Sequence, residues 1–176
     1  MKNIKVSSRI LEVPASPIRK LAPFAVEAKK KGVKVYHLNI GDPDIKTPDV
    51  MVDVLKKWSA NPIPYGQSQG EPKFLESLVS YYNKLGYSFI KTNHIQVTTG
   101  GSEAILMAFF AVCQPGEEVI AFEPYYTNYN SYAAINGVKI NPVLTKGETA
   151  FHLPVRREIE KKITKKTKAI IICNPS

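Results

Sequence analysis

Apolar and polar positions alternate between two periods along this chain, and the clearest run lies at its centre. From Ala104 to Cys113 every residue is apolar, which predicts a helix without a polar face, buried in the middle of a domain. The β-formers Ile95, Val97, Thr98 and Thr99 come before it and predict a strand that Gly100 and Gly101 stop abruptly. After the Gln114-Pro115-Gly116 break, Val119-Ile120-Ala121-Phe122 is a short continuous apolar run, the pattern of a parallel strand covered on both faces. Strand, glycine turn, helix, turn and strand make a βαβ unit. A small-residue helix around Ser131–Ile135 leads through Gly137 to a strand at Val138–Ile140. A helix over Val155–Ile163 then precedes another buried-type strand at Ala169–Cys173. This alternation predicts an open parallel α/β sheet that takes its ligands at the carboxyl ends of its strands.

The upstream third has weaker patterning. Residues 1–16 read as an extended arm. Pro17 suits a first helical turn, Leu21, Phe24, Ala25 and Ala28 form a helical stripe, and Lys29-Lys30-Lys31 with Gly32 close it. A strand is expected at Val35–Ile40, broken by Gly41-Asp42-Pro43-Asp44. Thr47 as cap and Pro48 at the first position predict a helix with Val50, Val54, Leu55 and Trp58 on its inner face. Glu71 and Pro72 open another, with Phe74, Leu75, Leu78, Val79 and Tyr82 on one face and Gly86 at its end.

Composition narrows the class. At 176 residues and 44% apolar, the chain can bury one substantial core. No apolar run is long enough to span a bilayer, and the basic start MKNIKVSSRI has no apolar segment behind it, so the expectation is a cytoplasmic protein without a membrane partner. The net charge of +9 raises nucleic acid as a partner. Its distribution argues against that, because Lys29–Lys31, Lys56-Lys57, Lys161-Lys162 and Lys165-Lys166 sit at helix ends or polar faces without interleaved aromatics. Cys113 and Cys173 lack metal or redox spacing and are read as small core residues, so no metal is expected.

The chemistry concentrates at the first turn of the central unit. A helix N-terminus leaves backbone N–H groups unpaired and carries partial positive charge, and glycine lets an anion come close to the backbone. Gly100-Gly101-Ser102 is therefore a candidate phosphate cradle, with the Ser102 hydroxyl either capping the helix or bonding a phosphate oxygen. The bland reading is a tight turn with a serine cap. Neither G-x-G-x-x-G nor G-x-x-x-x-G-K-[ST] occurs, which favours a phosphate-bearing cofactor other than a dinucleotide. A rival motif is Gly66-Gln67-Ser68-Gln69-Gly70, which matches the G-x-S-x-G elbow of α/β-hydrolases; Glu123 and His152 would complete a triad. An elbow serine needs a buried strand in front of it, and Asn61-Pro62-Ile63-Pro64-Tyr65 carries two prolines. His37, His94 and His152 are more simply structural or surface residues.

V-T-T-G-G-S-E-A, P-G-E-E-V-I and E-P-Y-Y, together with LNIGDPD at 38–44 and YGQSQGEPKFLESL at 65–78, resemble the class I, fold-type I aminotransferases, which use pyridoxal 5′-phosphate. The likeness runs over nearly the whole chain. It implies a three-layer α/β sandwich with a mostly parallel central sheet, here incomplete. Residues 1–46 would be the N-terminal arm and small-domain segment, and 47–176 the first part of the cofactor-binding large domain. By the same resemblance, Gly100, Gly101 and Ser102 hold the cofactor phosphate, Tyr126 stacks on the pyridine ring, and Tyr65 reaches the phosphate of the neighbouring subunit in a homodimer. Gly41 would bond the substrate carboxylate through its backbone. The implied reaction is transamination between an amino acid and a 2-oxo acid.

Asn174-Pro175-Ser176 resembles the lead-in to the family's N-P-T-G motif. The aspartate that pairs with the pyridine nitrogen, the lysine that carries the cofactor and the arginine that clamps the substrate have no matching motif in 1–176. No catalytic residue is therefore assigned within the chain, which reads as the N-terminal part of a longer enzyme. Two other readings share these motifs: a related fold-type I lyase of the aminocyclopropane-carboxylate synthase or C–S lyase kind, and a non-catalytic sensor domain of the same fold.

Overall fold

The computed structural model describes residues 5–41 and 43–174. Asp42 of the Gly-Asp-Pro-Asp turn, the first four residues of the expected arm, and Pro175-Ser176 of the N-P-S lead-in lie outside the described residues. The chain divides into two compact units, residues 1–35 with 100–176, and residues 36–99.

The first unit begins with a short helix α1 (Ser8–Glu12), where an extended arm is expected from sequence. Its backbone closes on itself through hydrogen bonds from Ile10 N–H to Ser7 O and from Val13 N–H to Ile10 O, and the helix lies against the later helix over 128–135. A 3-10 turn at Arg19–Leu21 runs into α2 (Ala22–Lys30), which ends at Gly32 with φ +76. That left-handed conformation suits glycine and fixes the stop the sequence predicts.

The second unit contains α3 (Asp49–Lys56) and α4 (Pro72–Lys84) and, among its described residues, no strand. Pro48 itself takes the capping position of α3 and no side chain caps it, so Thr47 does not cap as expected. The intended inner face of α3 is open: Val50, Val54, Leu55 and Trp58 are all exposed. Helix α4 follows most of its pattern, burying Leu75 and half-burying Leu78, Val79 and Tyr82, while Phe74 of the expected face is exposed; it is closed by Gly86 at φ +93.

The strands expected at Val35–Ile40 and at 95–99 do not form. In the first, Leu38 is 98% exposed and only Val35 and Asn39 are half-buried. The second is extended at Ile95, but its polar groups are met by side chains rather than a ladder. Gln69 Nε2 donates to Thr92 O at 2.6 Å and Ile95 O at 2.8 Å, and Gln96 Nε2 donates to Ser68 O at 2.7 Å. One backbone bond, from Val97 N–H to Gln69 O at 2.9 Å, ties the two segments.

Back in the first unit, α5 (Gly101–Val112) leads into β1 (Glu118–Glu123), then α6 (Asn128–Ile135), β2 (Lys139–Leu144), α7 (Arg156–Glu160) and β3 (Thr167–Ile171). The strands form one sheet in the order β2-β1-β3, and both pairings are parallel. The α/β class and the parallel sheet thus stand as expected. Central β1 has Val119, Ile120 and Ala121 with no exposed surface. Burying the Val119 and Ile120 side chains contributes about 1.5–3 kcal/mol each. Pro142 sits in β2, which is outermost in this sheet, so its missing N–H costs nothing on the open side.

Two expectations of full burial need correction. Helix α5 buries only the face that meets the sheet, with Phe109 buried and Ile105 half-buried, followed by buried Cys113; Met107, Phe110 and Val112 are exposed. Strand β3 alternates, with Ile170 and the following Ile172 exposed. An all-apolar run fixes the element but not how many neighbours cover it. The core of this unit gathers Phe109, Cys113, Val119, Ala133 and Val138 between α5, α6 and the sheet.

Candidate functional site

Helix α5 reaches β1 through the short turn at 113–117, and at that end Gly116 N–H donates to Gly137 O, the residue before β2's lead-in. The C-terminus of α5 therefore lies at the amino edge of the sheet, and its N-terminus lies at the carboxyl edge, where open α/β sheets take ligands. Gly100 occupies the capping position with φ 165 and ψ 177, extended backbone open to any residue. A Cβ added to Gly100 or Gly101 would meet no heavy atom within 4 Å. Neither backbone strain nor packing within this chain calls for glycine at these positions. What they provide is bare backbone with room in front of it, at the positive end of a helix.

Ser102 does not cap the helix: Gly100 holds the capping position and Ser102 is the second residue of α5. Its Oγ instead accepts a hydrogen bond from Tyr132 Oη at 2.6 Å. This overturns the bland reading of a serine cap and leaves the serine proton available to an acceptor. The triplet Gly-Gly-Ser thus fits a phosphate group by the spare room at its glycines and by the serine hydroxyl.

Tyr126 follows β1 at the same carboxyl edge. It is 45% exposed, so it is not a core aromatic. Its ring stands edge-on to Tyr129 at a centroid distance of 5.6 Å, and its Oη accepts from Asn128 Nδ2 at 2.8 Å. Tyr129 is buried and stacks on Tyr125 at 6.1 Å. Burial pushes the Tyr129 phenol above its ordinary acidity range, and the hydrogen bond with Cys173 and the neighbouring Tyr126 and Tyr132 add to this. Burial likewise raises Tyr125, against the hydrogen bond with Asn130, which lowers it. Both phenols therefore stay neutral, and the edge-on neighbour of Tyr126 is the uncharged Tyr129. Thr127 Oγ1 at the start of α6 is buried without a hydrogen-bond partner among the described residues.

Helix α6 ties the parts together. Tyr129 and Tyr132 lie three residues apart on one helix face, the first against Tyr126 and the second on Ser102. The sequence offers no motif for Tyr132 or Asn128; the one signal is two aromatics at helical spacing in an otherwise small-residue helix.

Gly41 and Tyr65 belong to the second unit. Gly41 is exposed with open space where a Cβ would stand, and Tyr65 is fully exposed at 104%. Ser68 sits in a turn with no strand before it, so the hydrolase elbow is not formed. His37, His94 and His152 are exposed, and no cluster of metal-ligating side chains occurs among the described residues. No helix among them is long and apolar enough to cross a membrane.

A parallel sheet in the order β2-β1-β3, with a glycine–serine helix head at its carboxyl edge, places the chain in the class of open α/β proteins. Within it, the sequence profile of the aminotransferase class I and II family matches residues 33–176, and the chain belongs to that family. It is 31% identical to an aspartate aminotransferase of Thermotoga maritima over 97% of this chain and 45% of that protein. It is 32% identical to a probable aspartate aminotransferase of Streptomyces griseus over 98% of this chain and 81% of that protein. The crystal structure of aspartate aminotransferase from Thermotoga maritima superposes with a TM-score of 0.88, covering 97% of this chain and 46% of that one at 31% identity. An alanine aminotransferase from Pyrococcus furiosus gives 0.87 at 32% identity, covering 98% and 44%. The chain spans 45% of the length of the first of these relatives.

Proposed function

We propose that this chain is the N-terminal part of a pyridoxal 5′-phosphate-dependent aminotransferase that moves an amino group between an amino acid and a 2-oxo acid. The observation that carries the reading is the 31% identity to an aspartate aminotransferase along 97% of this chain. Gly100, Gly101 and Ser102 would hold the cofactor phosphate at the positive end of α5, and the Tyr126 ring would stack on the pyridine. When bound, the cofactor supplies an electron sink for the bond broken at the substrate Cα. Gly41 offers backbone N–H to the substrate carboxylate. Tyr65, exposed on its loop, lends its hydroxyl to the phosphate of a second subunit in a homodimer. No lysine of 1–176 is assigned to moving the Cα proton. The division at Lys46/Thr47, between the arm with its small-domain segment and the large domain, is part of the same proposal, as is a cytoplasmic location.

The test uses the complete protein. Cofactor retention after desalting is read by absorbance, and amino-group transfer to 2-oxoglutarate is assayed from aspartate, alanine, aromatic and branched amino acids. Retained cofactor with transfer from at least one donor is the expected result. Gly101→Asp, which sets a carboxylate in the cradle, should abolish both. A wild-type protein that neither retains the cofactor nor transfers an amino group overturns the reading.

A further inference from the structure

Tyr132 is joined to Ser102 by a hydrogen bond of 2.6 Å in which the phenol donates and the serine accepts. Resting on the phosphate reading above, we infer that Tyr132 is a positioning residue for the phosphate: it fills one lone pair of Ser102 Oγ and so leaves the serine's only proton for the anion. A hydroxyl has one proton and two lone pairs. Ser102 is the second residue of α5, so no preceding helical turn stands behind it to take that proton. With Tyr132 as donor from one side and an anion as acceptor on the other, the chain Tyr132 O–H to Ser102 O–H to phosphate runs in one sense. Each bond polarises the next.

The arm that holds the phenol is well anchored. The Tyr132 ring packs against the core of Phe109, Cys113, Val119, Ala133 and Val138, so its hydroxyl is aimed by packing and not by a mobile side chain. The hydroxyl is also not needed to hold the two helices together. Asn136 Nδ2 donates to Leu106 O at 3.3 Å and Tyr132 O at 2.9 Å, a second tie between α5 and α6 that survives loss of the phenol oxygen. Removing that oxygen alone therefore isolates the effect on Ser102.

The experiment is a double-mutant cycle on the complete protein with Tyr132→Phe, Ser102→Ala and both. Pyridoxamine 5′-phosphate and unphosphorylated pyridoxamine are titrated by tyrosine fluorescence quenching. Tyr132→Phe should weaken the phosphorylated ligand about three- to tenfold, the range of one neutral hydrogen bond, and leave pyridoxamine unchanged. The double variant should bind no more weakly than Ser102→Ala alone. If Ser102→Ala weakens the phosphorylated ligand and Tyr132→Phe does not, the positioning role is wrong while the phosphate site stands. If Ser102→Ala has no effect either, the phosphate site itself is misplaced and the inference falls with it. Equal weakening of both ligands by Tyr132→Phe, together with a lower Tm of the ligand-free protein, makes the bond a structural clamp and also overturns the inference.

Discussion

Gly70 lies against Val97 so closely that a Cβ on it would stand 2.4 Å from Val97 Cγ2, and its φ of +126 is one that other residues rarely adopt. This contact pins the Gly66–Gly70 segment to the extended stretch before α5, alongside the Gln69 and Gln96 side-chain bonds. The last glycine of the apparent hydrolase motif is thus a packing glycine. Gly70→Ala combines overpacking with backbone strain and should destabilise the complete protein by about 2 kcal/mol or more. Gly100→Ala, where a Cβ meets nothing, should change the stability of the cofactor-free protein by less than about 0.5 kcal/mol. Denaturant midpoints without cofactor check both. Equal midpoints for Gly70→Ala and wild type would remove the packing account.

The contrast between these glycines shows which features were legible in the sequence. Gly32 and Gly86 read as helix stops because a left-handed stop is a local matter, and both adopt positive φ. Val119–Phe122 read as a strand because a short apolar run bounded by turns has few other fates. The extended stretch at Ile95–Thr99 has the same β-formers, yet it forms no ladder, since pairing depends on a partner and Gln69 and Gln96 take that place. Met107 and Phe110 failed in the same way, because apolar character does not say whether a neighbour is there to cover it. The phosphate candidate was legible as Gly-Gly-Ser before a helix. Tyr132 was not, as its role depends on where α6 lies against α5.

Glu117 closes the turn between α5 and β1. Its carboxylate accepts Gln114 N–H at 2.7 Å and pairs with Lys168 at 3.1 Å, and these hold its pKa below the ordinary carboxylate range, the backbone bond first. A carboxyl that binds its proton less readily when folded stabilises the fold above its unfolded value of about 4.3. That contribution is lost as pH falls through the lower folded value. Glu117→Gln should therefore lower the urea midpoint at about pH 7, with the gap to wild type narrowing as pH falls through the folded carboxyl's lowered range. A gap that is constant with pH would show that the charge plays no part.

Asn128 fixes Tyr126 by donating to its hydroxyl, so ring orientation should depend on the amide only while that hydroxyl exists. Asn128→Ala is expected to weaken pyridoxamine 5′-phosphate binding by about threefold, the order of a single hydrogen bond. In a Tyr126→Phe background the same substitution should do nothing. Full additivity of the two changes in a titration would mean that Asn128 acts by another route.

Tyr65 is the clearest test of subunit sharing, because its side chain is fully exposed. In a dimer with two-fold symmetry, each site would combine one subunit's Gly101 with the partner's Tyr65. Mixing a Tyr65→Phe subunit with a Gly101→Asp subunit then sorts the damage unequally. One site of each hybrid receives a sound glycine and a sound tyrosine, while the other receives both lesions. If Tyr65 serves its own subunit instead, each hybrid site carries one lesion and none is whole. Tyr65→Phe alone should weaken phosphate-dependent cofactor binding and leave the fold intact, since an exposed hydroxyl contributes nothing to packing. Refolded mixtures of the two complete variants should therefore show more cofactor binding and transaminase activity than the average of the two homodimers. Activity in the mixture no greater than the average of the two separate variants would exclude sharing.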